Sequence, residues 1–321
     1  MGNTTGGLVD GPVYATIFGS LLGISTEGGT NYEEFQPGDR VYHDSTHDYS
    51  TNEPTMDGTA CLTFPFSAYQ EEGRRYEARS EGNAQGLEGL IQHAVPDNAV
   101  RREEGVVRTD PSVRHIDFVF TSADKNDGAE PIRAALKKAN IRGYFFFTGE
   151  FYEKFPETVQ ALLKDGHYVG SHSYGHLLYL PWERDGSVNV TREEFNEDIF
   201  KSYSLLREAG IEEAPLFLPP YEHYNSTVAS WARMLGLQLV NYTNGTATNG
   251  DYTLPSMKNY YSSKTIFERI HSCEAGDPDG LSGHIMLIHL GTEPARTDKF
   301  YNQLPKLIRE LRRKGYTFTP L

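Results

Sequence analysis

From residue 115 to its end, the sequence predicts an α/β fold built on a parallel sheet or barrel. Short, mostly apolar runs of three to six residues recur along this stretch. Most are followed by a segment with helical spacing of its apolar residues, and glycines punctuate the joins. That alternation is what strand–helix–strand units look like in sequence, because buried parallel strands read as continuous apolar runs.

Each element can be justified in turn. Residues 116–120 form the first apolar strand. Residues 130–140 are helical, with Ile132, Ala135, Leu136 and Ala139 on one face and Pro131 near the N-terminus, where its missing N–H costs nothing. Residues 143–147 are the next strand, 155–165 a helix that stops at Gly166, and 166–171 another strand. Thr191 and Glu194 make a capping box for a helix over 191–209, closed by Gly210. Strands follow at 216–218, 238–240 and 284–288, then a helix over 300–314 and a last strand at 316–318. The first 110 residues are less regular. Residues 12–25 and 59–72 read as helices, and charged, Gly-bearing residues up to 110 read as a linker with one short helix.

Composition narrows the function. A chain of 321 residues, 38% hydrophobic and 12% aromatic, has ample material for a packed core. Lys and Arg number 30 against 44 Asp and Glu, a net charge of −14, which disfavours nucleic acid as a partner. No run of 18 apolar residues is present to span a membrane. Cys61 and Cys273 stand far apart and in no metal or disulfide spacing, so both read as plain thiols. The N-terminal residues show no cationic and apolar signal pattern.

The chemistry is concentrated in His172-Ser173-Tyr174-Gly175-His176, just past the end of the 166–171 strand. Two imidazoles so spaced can reach one divalent ion, and strand ends are where α/β sheets place their sites. A third ligand is needed, and Asp124, after the first strand, is the carboxylate expected to supply it.

These motifs carry a family resemblance. The acidic loop at 121–127, Phe145-Phe146-Phe147-Thr148-Gly149, the His172–His176 segment, Pro219-Pro220-Tyr221 and Leu287-Ile288-His289 occur in the order of the polysaccharide deacetylases. Residues 111–321 therefore resemble the NodB-homology domain of carbohydrate esterase family 4, a distorted (β/α) barrel. The resemblance implies Asp124, His172 and His176 as ligands of a divalent metal, with zinc the expected ion. It implies His289 as general acid, and Tyr221, beside Pro220, as substrate-binding with its backbone N–H on the oxyanion. The family's base, an Asp before the metal-binding Asp, is Ala123 here, and the Arg that orients it is Leu218. Asp127, Glu222 and Asp251 remain as alternative bases. Residues 219–225 and 296–301 are similar to a divergent branch of the family found in polysaccharide-degrading gut bacteria.

Residues 1–75 resemble the C-terminal end of family 9 glycoside hydrolases, inverting cellulases built as an (α/α)6 barrel. Glu53 stands where that family has its general acid, but inversion needs a second carboxylate that this chain does not supply. The segment is expected to be a mostly helical and loop remnant, joined by residues 76–110 to the deacetylase-like domain. Its resemblance implies a larger secreted, periplasmic or surface polysaccharide-degrading protein with a signal upstream. The expected activity is metal-dependent removal of N- or O-acetyl groups from a polysaccharide. The alternatives are a catalytically impaired glycan-binding domain of the same fold, and an endoglucanase remnant without a complete site.

Overall fold

The structure, a computed structural model, describes residues 98–183 and 186–319, with the backbone pairs 13–14 and 40–41. The chain divides into two compact units, residues 1–86 and 87–321. In the first, β1 (Val13–Tyr14) pairs antiparallel with β2 (Arg40–Val41), so residues 13–14 are extended and do not open the helix expected over 12–25. The helix expected over 59–72, Cys61 and Glu53 lie outside the described residues.

The second unit starts with an antiparallel ribbon, β3 (Val100–Arg102) and β4 (Gly105–Arg108), within the stretch expected to be a linker. Its Val106 is fully buried, which gives the ribbon a place in the core. Then follow β5 (Ile116–Ser122), α1 (Ala129–Ala139), β6 (Tyr144–Phe147), α2 (Gly149–Lys154), α3 (Pro156–Lys164), β7 (Tyr168–Ser171) and α4 (Arg192–Glu208). The chain continues through β8 (Leu216–Phe217), α5 (Ser226–Met234), β9 (Gln238–Leu239), α6 (Ser263–Gly276), β10 (His284–His289) and α7 (Leu304–Arg313). Six strands form one parallel sheet in the order β10-β5-β6-β7-β8-β9.

Every residue of β5 and β6 is buried, which is why β6 is an unbroken apolar run and β5 carries one over Phe118–Phe120 rather than an alternating pattern. Phe120 and Phe145 stack across them at 4.8 Å. The sheet curls until its two edges are bridged. Val106 of β4 makes a parallel bridge to Val240 beyond β9, and Thr243 exchanges hydrogen bonds with Ile285 of β10. This closure makes a distorted (β/α) barrel, in agreement with the sequence.

Three helices escaped sequence reading: α2, capped by Thr148; α5, capped by Asn225; and α6, capped by Ser262. α2 and α5 are short, and α6 buries only four positions, Ser263, Ile266, Phe267 and Ile270, so no apolar stripe stands out. The strand expected at 316–318 reduces to a single bridge, Thr317 to His115. The helix expected over 300–314 begins as a 3-10 turn at Phe300–Gln303 before α7. α4 carries the predicted capping box, with Glu194 N donating to Thr191 Oγ1 and Thr191 N to Glu194 Oε2. No described helix is long and apolar enough to cross a membrane.

Candidate active site

The C-terminal ends of the parallel strands, and the loops that leave them, converge on one cleft of about 570 Å³. β5 leads to Ala123, Asp124 and Lys125; β7 to His172 and His176; β8 to Tyr221 and Glu222; and β10 ends at His289. Strand ends are where backbone stops pairing and side chains of adjacent strands can point to a common space.

The His172–His176 loop is held from below by α4. Gly175 N donates to Asp198 Oδ1 at 2.6 Å, and Tyr179 OH to Asp198 Oδ2 at 2.6 Å. Ser171 Oγ meets Ser202 Oγ at 2.7 Å, and His176 N donates to Ser173 Oγ at 2.9 Å. Ser173 and His176 both have positive φ, 70° and 50°, so the loop takes a costly backbone that these bonds secure. Gly149 contributes by lacking a Cβ, which would lie 2.2 Å from the Tyr174 ring.

His172 Nδ1 lies 2.9 Å from the Leu218 carbonyl, an acceptor only, so Nδ1 carries the proton and Nε2 offers its lone pair to the cleft. Burial, then the neighbouring His176, hold the His172 imidazole well below its usual range, and burial takes His176 down to about 4. Both are neutral donors. Their ring centroids are 5.0 Å apart. Two such imidazoles suit a divalent cation, but the third donor is not in place. Asp124 is 40% exposed, and both its oxygens accept from Lys125 Nζ, at 2.8 and 3.0 Å. Lys125 also pairs with Glu293 at 2.8 Å. Among the described residues no group of three or more metal-ligating side chains is assembled.

The three carboxylates left open as bases separate by what they touch. Asp127 is absent from the cleft wall and occupied on both oxygens, by Thr292 N, Tyr301 OH and Lys299 Nζ at 2.7–3.0 Å. Burial pushes it up, but Lys299, Tyr301 and the Thr292 N–H together hold it below the usual carboxylate range. It ties the loop after β10 to the loop after β5. Asp251 is fully buried behind His289, accepting from His289 Nδ1 at 2.6 Å and from its backbone N at 3.2 and 3.1 Å. Burial works against the charged imidazole, yet Asp251 outweighs it and raises the His289 pKa.

Glu222 faces the cleft as a half-buried carboxylate with 13% of its side chain exposed, its Oε1 3.9 Å from His172 Nε2. Burial pushes it up to about 7, with His289 pulling down and Asp251 adding to the rise. Its position depends on an unusual turn: Tyr221 and Glu222 both have positive φ, 57° and 52°. Asn241 Nδ2 fixes the Glu222 carbonyl at 2.8 Å.

Tyr221 is 42% exposed and packs on His176 at 4.3 Å, and Trp182, 60% exposed, stacks on His223 and meets Tyr221 edge-on at 5.6 Å. Pro220 is buried and does not line the cleft. Sequence reasoning missed Trp182, Lys125 and Asp198. Only Asp198 left a signal: it falls on the face of α4 that buries Phe195, Ile199, Ser202 and Leu206, a charge on an apolar stripe.

Comparison with known proteins agrees with this geometry. The polysaccharide deacetylase family model matches residues 113–240. A peptidoglycan-N-acetylglucosamine deacetylase of Bacillus cereus is 28% identical over 188 residues, 58% of this chain and 59% of that protein. A peptidoglycan-N-acetylmuramic acid deacetylase of Bacillus subtilis is 21% identical over 239 residues, 73% of this chain and 82% of that one. In structure, a family 4 carbohydrate-esterase pseudoenzyme of Bacillus anthracis superposes with a TM-score of 0.55 at 17% identity, covering 68% of each chain. Residues 113–240 thus resemble the polysaccharide deacetylases, and the fold is shared with a family 4 carbohydrate esterase structure.

Proposed function

We propose that this cleft removes acetyl groups, N- or O-linked, from a polysaccharide, with Glu222 as general base and His289 as general acid. One observation carries the reading. A half-buried carboxylate raised to about 7 and a carboxylate-backed imidazole with a raised pKa line the same cleft, which are the base and acid that hydrolysis of an acetyl linkage requires. Water adds to the acetyl carbonyl as Glu222 takes its proton. His289 then protonates the departing nitrogen or oxygen, releasing acetate and the free amine or hydroxyl. The Tyr221 backbone N–H is assigned to the oxyanion. His172 and His176 would hold a divalent cation, with Asp124 joining them in exchange for Lys125, and zinc is the expected ion. When bound, the cation polarises the acetyl carbonyl. Exposed Tyr221 and Trp182 suit the apolar faces of sugar rings. The same reading places the domain in a secreted polysaccharide-degrading protein, with residues 1–75 a family 9 glycoside hydrolase-like segment and Glu53 outside this reaction.

The test is acetate release from acetylated chito-oligosaccharide and acetylated xylan by the purified chain. Release is expected from at least one, with His289→Asn lowering it by roughly 10²-fold or more. Release equal in the variant would refute the assignment. A second reading, a glycan-binding domain without turnover, is favoured by Ala123 in the usual base position and by Lys125 occupying Asp124. It is the outcome if oligosaccharide binds and no acetate appears.

A further inference from the structure

Beside the cleft lies a second recess of about 330 Å³ that shares Asn249 and Tyr252 with it. Its wall is neutral and polar, including Thr253, Asn259 and Tyr261, with one charged side chain, Arg269 of α6. Arg269 is exposed and makes no hydrogen bond or ion pair with any described residue. In a chain of net charge −14, this recess carries a cation and no acidic side chain.

The wall is also firmly built. Arg296, fully buried, donates to the Thr253 carbonyl and, at 2.8 Å, to the Tyr261 carbonyl. Tyr261 N donates to Thr253 Oγ1 at 3.0 Å, and Thr253 Oγ1 to the Gly250 carbonyl at 2.7 Å. Gly250 leaves room for the Tyr261 ring, whose nearest atom would be 2.7 Å from any Cβ there. The recess therefore keeps its shape without a ligand, and its amides and hydroxyls match the hydroxyls of a sugar. Asp251, which orients His289, and Tyr252, 5.1 Å from the His289 ring, follow directly in the chain. A sugar seated here would adjoin the one being deacetylated.

We propose that this recess is a subsite for an acidic sugar, with the planar guanidinium of Arg269 receiving its carboxylate. The chemistry follows from the donor: guanidinium pairs with carboxylate through two parallel N–H bonds. The inference rests on the deacetylase reading for its direction along the polysaccharide, and it makes the substrate an anionic glycan containing uronic acid units.

The experiment is calorimetric titration of the full chain with tetragalacturonate, with neutral cellotetraose and with a sulfated tetrasaccharide. Tetragalacturonate should bind more tightly than cellotetraose, and Arg269→Gln should weaken it roughly tenfold or more while leaving cellotetraose unchanged. Acetate release from a neutral acetylated substrate should not change in that variant. Equal affinity for the acidic and neutral chains, no binding of either, or unchanged tetragalacturonate binding in Arg269→Gln overturns the proposal. Preference for the sulfated chain overturns the carboxylate assignment. Because binding is read without turnover, an inactive protein that still prefers tetragalacturonate upholds the subsite and refutes only the deacetylase reading.

Discussion

Glu222→Gln is expected to lower kcat/KM for acetate release by roughly 10²–10⁴-fold, the range for losing a positioned proton acceptor. The substitution keeps the size of the side chain and removes only its ability to take a proton. Binding of oligosaccharide, set by Tyr221 and Trp182, should change little. The logic is one of elimination on contacts. Asp127 is neutralised by Lys299 and Tyr301, and Asp251 is spent on His289, whereas Glu222 is the carboxylate within 3.9 Å of a neutral imidazole in the cleft. Measured turnover that survives Glu222→Gln would return the base to another group and undo this assignment.

Asp251→Asn should act on two observables at once. The amide NH2 replaces one of the two accepting oxygens with a donor, so a buried N–H donor is set against His289, at a cost of about 1–3 kcal/mol in unfolding free energy. Turnover should fall by roughly 10²–10⁴-fold, because the imidazole loses the carboxylate that orients it and stabilises its protonated form. The discriminating readout is the pH profile. Since Asp251 is what lifts the His289 pKa against burial, the alkaline limb should move to lower pH in the variant. A merely structural Asp would lower stability and leave that limb where it was.

Much of this was legible in the sequence because parallel strands buried on both faces betray themselves. The Tyr144–Phe147 strand has no polar position, and the capping box of α4 announces its start to the residue. The ribbon at 100–108 was not legible, since only Gly105 and Val106 are buried and its three arginines and two glutamates read as a linker. In the site, the His172–His176 pair and His289 stood out by position after strands. The choice among Asp127, Glu222 and Asp251 could not be made from sequence. It depends on partners far away in the chain, such as Tyr301 for Asp127, and on a left-handed turn at Tyr221 and Glu222 that no glycine signals.

The most direct test of the acid–base pair is the pH dependence of kcat/KM for acetate release. Glu222 must be ionised and His289 protonated, so the rate should rise as pH climbs through the Glu222 pKa, about 7 without a cation. It should fall again as His289, raised above its ordinary 6.5, loses its proton. A cation on His172 would move the first limb to lower pH, and because the groups interact the two apparent values belong to the pair. A bell with both limbs, its acid limb lost in Glu222→Gln and its alkaline limb lowered in Asp251→Asn, is the expected result. A rate with no such dependence, or folded protein that binds oligosaccharide and releases no acetate at any pH, would contradict it.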